Sequence, residues 1–207
     1  TENSWSEGHW LFLLLDRDLS EITRIEPDFP TYDVEVCRVS AVITDNHLVI
    51  AYYQAALRAT AFGLFDLETR TWSGGSDLIA LYEHQYPRIL GLGDSKILLV
   101  GEKAVEIFHL GSKSFTEIPS QFSGTYRALG QLVRLDDSTV IITGLRRSGV
   151  SADTGTACVH AYDADTNVIY PILELCEDSP LGKLNPIAIN RLTDLPGDRI
   201  LIHSTGS

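Results

Sequence analysis

One pattern returns four times along the 207 residues. Each copy has a short polar turn, an apolar β-rich run, and then small or polar residues. The first is Asp45-Asn46 followed by His47-Leu48-Val49-Ile50-Ala51. The second is Asp94-Ser95 followed by Lys96-Ile97-Leu98-Leu99-Val100-Gly101. The third is Asp137-Ser138 followed by Thr139-Val140-Ile141-Ile142-Thr143-Gly144, and the fourth is Gly197-Asp198 followed by Arg199-Ile200-Leu201-Ile202-His203. The steps from His47 to Lys96, Thr139 and Arg199 are 49, 43 and 60 residues. A chain built this way must use one supersecondary unit repeatedly, because a single unit cannot bury its own apolar faces.

A second landmark interleaves with the first. An aromatic or large apolar residue is followed by a polar turn and then by another apolar residue seven positions on. The copies start at Leu15, Phe65, Phe108 and Tyr162, at steps of 50, 43 and 54. Two landmarks thus drift together at a period that brackets the roughly 40–50 residues of a β-propeller blade. The runs are short, rich in Val, Ile, Leu and aromatics, and separated by Asp, Asn, Gly and Ser, as hairpins require. The expected fold is all-β: a β-propeller of four-stranded antiparallel blades, about four blade-equivalents in one domain. The repeat phase puts a half blade at 1–36, repeats at 37–84, 85–124 and 125–181, and a half blade at 182–207. Two segments, Ala55 to Phe62 and Asp77 to Gln85, compete as short helices. The terminal half blades either close a ring against each other or end an open arc, completed by missing blades or a second copy.

Charge and cysteine usage narrow the partners. Sixteen Lys+Arg against 28 Asp+Glu give a net charge of −12, which repels phosphate backbones and argues against nucleic acid. The longest apolar run, Leu11 to Leu15, is far short of the roughly 20 residues of a membrane span. Cys37, Cys158 and Cys176 are odd in number and widely spaced, and no Asn-x-Ser/Thr sequon occurs. These features fit buried thiols in a reducing compartment and predict a cytoplasmic or nuclear protein. The chain has no Met and opens on Thr1, which predicts a processed protein or a piece of a longer one.

Phe65-Asp66-x-x-Thr69-x-x-Trp72 resembles the second half of a kelch repeat, and the runs ending at Gly101 and Gly144 resemble the kelch strand that ends in two glycines. Each keeps only one glycine, and only one repeat has the Trp. The resemblance implies that the aromatic packs against the neighbouring blade and that Trp72 fills the outer blade interface. WD-type repeats compete through Phe65-Asp66-Leu67, but their Gly-His…Trp-Asp pairing is absent.

The chain carries no catalytic signature. Its six histidines (His9, His47, His84, His109, His160, His203) show no i,i+3 or i,i+4 pairing, and neither a Gly-x-Ser-x-Gly elbow nor a phosphate-binding glycine loop occurs. No cofactor or metal ligand set is expected. The segment Gly144 to Thr156 reads as a loop that lengthens the third repeat. It carries Arg146 and Arg147, a basic pair suited to a carboxylate or phosphate on a partner, and Ser151 and Asp153. By analogy with kelch-like scaffolds, the expected function is a non-enzymatic interaction domain that binds a protein partner through face loops, with these four residues as the candidate site. Two other classes stay open. One is a glycan-binding or glycan-processing propeller using Tyr52, Tyr53, Tyr82 and Tyr86, and the other is a metal-dependent oxidoreductase propeller.

Overall fold

The structure, a computed structural model, describes residues 11–15, 22–28, 39–119, 126–147, 155–175, 188–195 and 199–205. These form sixteen strands and, among the described residues, no helix. A two-stranded sheet, β1 (Phe12–Leu15) and β2 (Ile22–Ile25), comes first. Three four-stranded antiparallel sheets follow in simple meander order. They are β3 (Val39–Thr44), β4 (His47–Gln54), β5 (Ala59–Asp66) and β6 (Thr71–Ile79); then β7 (Arg88–Gly93), β8 (Lys96–Val100), β9 (Val105–His109) and β10 (Ser114–Glu117); then β11 (Tyr126–Arg134), β12 (Thr139–Arg147), β13 (Gly155–Asp163) and β14 (Val168–Leu175). A second two-stranded sheet, β15 (Ala188–Leu195) and β16 (Arg199–Thr205), ends the series. The repeat period thus corresponds to propeller blades, about four in all. The two half blades are separate sheets, and β1 pairs with β2 rather than with β16.

Neither segment expected to compete as a helix is one. Ala55 to Arg58 is a hairpin turn closed by the Arg58 N–H donating to the Ala55 carbonyl at 3.1 Å, and Ala59 onward is β5. Asp77 to Ile79 end β6, and residues 80–87 connect one blade to the next. A helix would offer one apolar stripe, whereas Ala61 and Phe62 are buried in the clusters on opposite faces of β5, which a strand satisfies.

The division of side chains between faces shows this directly. Along β4, Leu48, Ile50 and Tyr52 pack with Ile25, Ala61 and Phe65, while Val49 and Ala51 pack with Phe62, Leu64, Ile97, Leu99 and Phe108. Along β8, Ile97 and Leu99 face back toward that second cluster. Leu98 and Val100 face forward to Val140, Ile142, Tyr162 and Ile169. Each blade therefore buries both faces against its neighbours, and its middle strands read as unbroken apolar runs.

The turns at the opposite strand ends follow from their residues. Asp45 and Asn46 have φ of 43° and 62°, and Asp94 and Ser95 have 48° and 57°. Two consecutive positive φ values make the two-residue hairpin turn that suits strand twist and favours Asn and Asp. In the turns after β5 and β13, the last strand residue is an Asp that caps the bend. Asp66 Oδ1 accepts from the Glu68 and Thr69 N–H groups at 2.8 and 2.9 Å, and Asp163 Oδ1 accepts from Asp165 and Thr166 at 2.9 and 3.2 Å.

Candidate interaction face

The second strands of the three full blades start in phase, with Leu48, Ile97 and Val140 each facing the preceding blade. They do not end in phase. β4 has 8 residues, β8 has 5 and β12 has 9. At about 3.3 Å per residue, the β8–β9 hairpin stops roughly 10–13 Å short of its neighbours. The middle blade is therefore a recess between two taller hairpins, on the face where the connectors between blades also cross.

Its floor is the connector 80–87, and four glutamates hold it. Glu106, fully buried, accepts from the Leu81 N–H at 2.9 Å and the Tyr82 N–H at 3.3 Å, and its Oε1 lies 2.9 Å from His84 Nε2. Glu102 accepts from the Gln85 and Tyr86 N–H groups at 3.0 and 2.7 Å. Glu83 accepts from Lys103 Nζ at 2.9 Å and from the Tyr53 hydroxyl at 2.8 Å, with Arg58 3.9 Å away. Lys103 and Tyr53 together hold the Glu83 carboxyl below the usual range. Glu117 accepts from the Tyr82 hydroxyl at 2.8 Å, a bond that raises the phenol's pKa. The Thr60 hydroxyl and His84 backbone bond reciprocally: the His84 N–H donates to Oγ1 at 2.7 Å, and Oγ1 donates to the His84 carbonyl at 3.0 Å.

The glycine that ends the second run now has a physical reason. Gly101 stands where β4 has Tyr52, and the His84 imidazole lies where a Cβ on Gly101 would have to go.

The sequence candidates fall on this same face, but not as expected. Arg146 and Arg147 are not in a loop. They are the last residues of β12, with Arg146 opposite Tyr126 and Thr156, and Arg147 opposite Gly155. The two ends of the expected loop Gly144 to Thr156, 144–147 and 155–156, are therefore paired strand, where the chain prolongs the hairpin instead of leaving its backbone groups unpaired, and 148–154 lie outside the described residues. Ser151 and Asp153 lie outside the described residues. Tyr52 and Tyr53 are buried, and Tyr53 and Tyr82 spend their hydroxyls on Glu83 and Glu117. The rings of Tyr52 and Tyr53 are therefore closed to a sugar, while that of Tyr82 is half-buried. Among the described residues, no three His, Cys, Asp or Glu side chains are grouped to hold a metal, and no helix is long and apolar enough to cross a membrane.

Residues that sequence reasoning passed over complete the face. Leu57 and Leu81 are 49% and 57% exposed, and Ile79 is also exposed. They share one corner, since Ile79 pairs with Ala61 and the Ala80 N–H donates to the Thr60 carbonyl at 2.9 Å. The Arg58 side chain is 79% exposed and Lys103 50%. The opposite face has an open cleft of about 430 Å³, lined by Asp45, His47, Asp66, Ser73, Ser95 and Lys113 among others.

No family model and no curated protein matches this chain. Solved structures do. One, from a nidogen/laminin complex, is 12% identical with a TM-score of 0.52, over 86% of this chain and 65% of that one. The β-propeller domain of the trilobed protease from Pyrococcus furiosus is 12% identical with a TM-score of 0.45, over 82% of this chain and 50% of that one. Oligogalacturonate lyase from Vibrio parahaemolyticus is 13% identical with a TM-score of 0.45, over 80% and 47%. The chain thus spans about two thirds or less of each. At these identities the likeness concerns fold alone, and the fold is a β-propeller.

Proposed function

We propose that the chain is a non-enzymatic protein-interaction domain and that its partner docks on the face formed by the β4–β5, β8–β9 and β12–β13 hairpins and the blade connectors. The observation that carries this reading is the recess over β8–β9 between taller hairpins, one of which bears Arg146 and Arg147 on its last paired residues. Leu57, Ile79 and Leu81 expose apolar surface at the same rim, and exposed apolar groups beside polar ones suit a protein contact. Ser151 and Asp153 belong to this proposal through their place between β12 and β13 in sequence. The repeats are kelch-like in this reading, supported by the strand-ending Gly101 and Gly144 and by the Phe65–Trp72 pair, and the setting is the cytoplasm or nucleus.

Affinity capture from cell extract tests it, using the parent chain, an Arg146→Glu/Arg147→Glu variant and a Leu57→Glu/Leu81→Glu variant. At least one partner captured by the parent should be lost from each variant. If every partner survives both double changes, this face is not the site.

A further inference from the structure

The apolar layer between the first and second full blades ends in the open cleft of about 430 Å³ on the face opposite the recess. Buried Leu64 and Leu110 form its floor. One wall is the turn end of the first blade, where His47 stands opposite Asp66 across β4 and β5. The other is the turn end of the second blade, with Ser95 and Lys113. His47 Nδ1 lies 2.8 Å from the Asp45 carbonyl, which only accepts, so Nδ1 carries the proton and Nε2 of the neutral ring offers a lone pair. Asp66 Oδ1 is used by two turn N–H groups, and Oδ2 lies 3.8 Å from His47 Nε2. Two acceptors thus face each other at a spacing that one ammonium group can bridge.

Lys113 supplies the opposite charge. Its ammonium reaches across the blade gap to the Ser73 hydroxyl at 3.4 Å, and among the described residues it makes no ion pair with a carboxylate. Asp66 pairs with Thr71, and Ser73 stands two residues on along β6, about 6.7 Å away at the rise of a strand. The anionic and cationic ends of the cleft are thus offset by about 7 Å. An α-amino acid holds its ammonium nitrogen about 2.5 Å from its carboxyl carbon. One hydrogen bond of about 2.8 Å at each end brings its span to about 8 Å, a match in length. The next gap has Lys96 opposite His109 and Asn167 where Lys113 stands, so neither the acceptor pair nor the opposing lysine is repeated.

We infer that this cleft binds a small zwitterion of the amino-acid type, with its ammonium between Asp66 Oδ2 and His47 Nε2, its carboxylate on Lys113, and its side chain over Leu64 and Leu110. A volume of about 430 Å³ lies within the range of small-molecule sites, where a few placed polar groups orient a ligand over an apolar lining. The cleft is on the face away from the recess, so the inference stands apart from the docking reading. Because its walls belong to two blades, an occupant ties them together and stabilises the fold by mass action.

The experiment maps NMR chemical shifts of the whole chain with leucine, alanine, leucinamide and N-acetyl-leucine as probes. Leucine and alanine should shift amides within 45–47, 64–73 and 110–113, and leucine should raise the melting temperature. Leucinamide lacks the carboxylate and N-acetyl-leucine lacks the ammonium, and each should bind about tenfold or more weaker than leucine. Asp66→Asn, which keeps the turn acceptor, and Lys113→Gln should each weaken leucine by about tenfold. Each substitution should also be silent toward the probe that lacks its partner group. Lys113→Gln should leave leucinamide within about twofold, and Asp66→Asn should leave N-acetyl-leucine within about twofold. Unchanged circular dichroism establishes that both variants fold. No shift in the cleft with leucine or alanine up to about 10 mM overturns the inference. So does equal binding of leucine, leucinamide and N-acetyl-leucine, or leucine binding indifferent to both substitutions. Zinc ion alone shifting His47 and Asp66, while neither amino acid does, would assign the acceptor pair to a metal cation and overturn it too.

Discussion

The imidazole of His84 fills the space above the backbone of Gly101, so the connector between two blades is seated directly on the strand end of the second. Tyr52 holds the corresponding strand position one blade earlier, and its own bulk serves there. Where the hairpin is short, the side chain comes instead from the preceding connector, and the strand must end in glycine.

Gly101→Ala should therefore destabilise the fold by about 1–3 kcal/mol, the usual effect of forcing a methyl group into a filled interior. Urea denaturation reads the change. Adding His84→Ala opens the space, so the double variant should recover part of what Gly101→Ala loses. Additive losses in the cycle would show that the two residues do not compete for one volume.

Glu106 should matter more than any exposed charge. Its carboxylate receives two backbone N–H groups and His84 Nε2 with no exposure to water. Glu106→Leu leaves these donors buried without an acceptor and should remove about 3–5 kcal/mol. Glu106→Gln keeps one acceptor oxygen and should remove less. Hydrogen exchange at Leu81 and Tyr82 should accelerate in both variants. If those amides stay as protected as in the parent, Glu106 does not hold the connector.

These two relationships also mark where reading the sequence stopped. The runs His47–Ala51, Lys96–Gly101 and Thr139–Gly144 announce their strands, because burial on both faces demands continuous apolar residues and Asp-Asn or Asp-Ser marks the turn. Arg146 and Arg147 were visible as a basic pair, but their strand pairing was not. Pairing depends on Tyr126, Gly155 and Thr156, which lie up to 20 residues away. Ala55 to Phe62 reads as helical from Ala and Leu propensity, and that reading hides Arg58 at a hairpin tip. His84 and Glu106 lie 22 residues apart on different elements. No local period links them, and only the stacking of blades brings them into contact.

Acid should unfold the protein through its turn aspartates. Backbone N–H groups of Thr69 and Glu68 hold the Asp66 carboxyl below the usual carboxylate range, the Ser138 N–H does so for Asp136, and Thr166, by side chain and backbone, does so for Asp163. A carboxyl whose folded pKa is depressed stabilises the fold above its unfolded pKa and loses that contribution as pH falls through the folded one. Melting temperature should thus be insensitive to these groups above about pH 5 and drop below about pH 4. Asp66→Asn/Asp136→Asn/Asp163→Asn keeps the turn acceptors but removes the titration, so its melting temperature should depend less on pH in that window. An identical acid limb in the triple variant would place the loss elsewhere. At the alkaline end, burial pushes the Tyr52 phenol up to about 12. Its contribution is whole below pH 10 and disappears as pH rises through 12.

Trp72 ties the first half blade to the first full one. Its indole Nε1 donates to the Glu26 carbonyl at 2.8 Å, and its ring lies 5.1 Å from Phe65 and 6.5 Å from Phe12 by centroid. Since Phe12 and Glu26 flank the β1–β2 hairpin, the contact bridges two sheets that share no strand pairing. Trp72→Phe keeps the ring packing but removes the donor, and it should reduce stability by about 1 kcal/mol. Trp72→Ala removes both and should reduce it by about 2–3 kcal/mol, below the range for fully buried aromatics because Trp72 is only half-buried. The sharper readout is local. In Trp72→Ala, hydrogen exchange should rise across residues 12–15 and 22–25, while β8 and β9 stay protected. Uniform acceleration across all blades would mean that Trp72 stabilises the fold globally and does not serve as the tie between these two sheets.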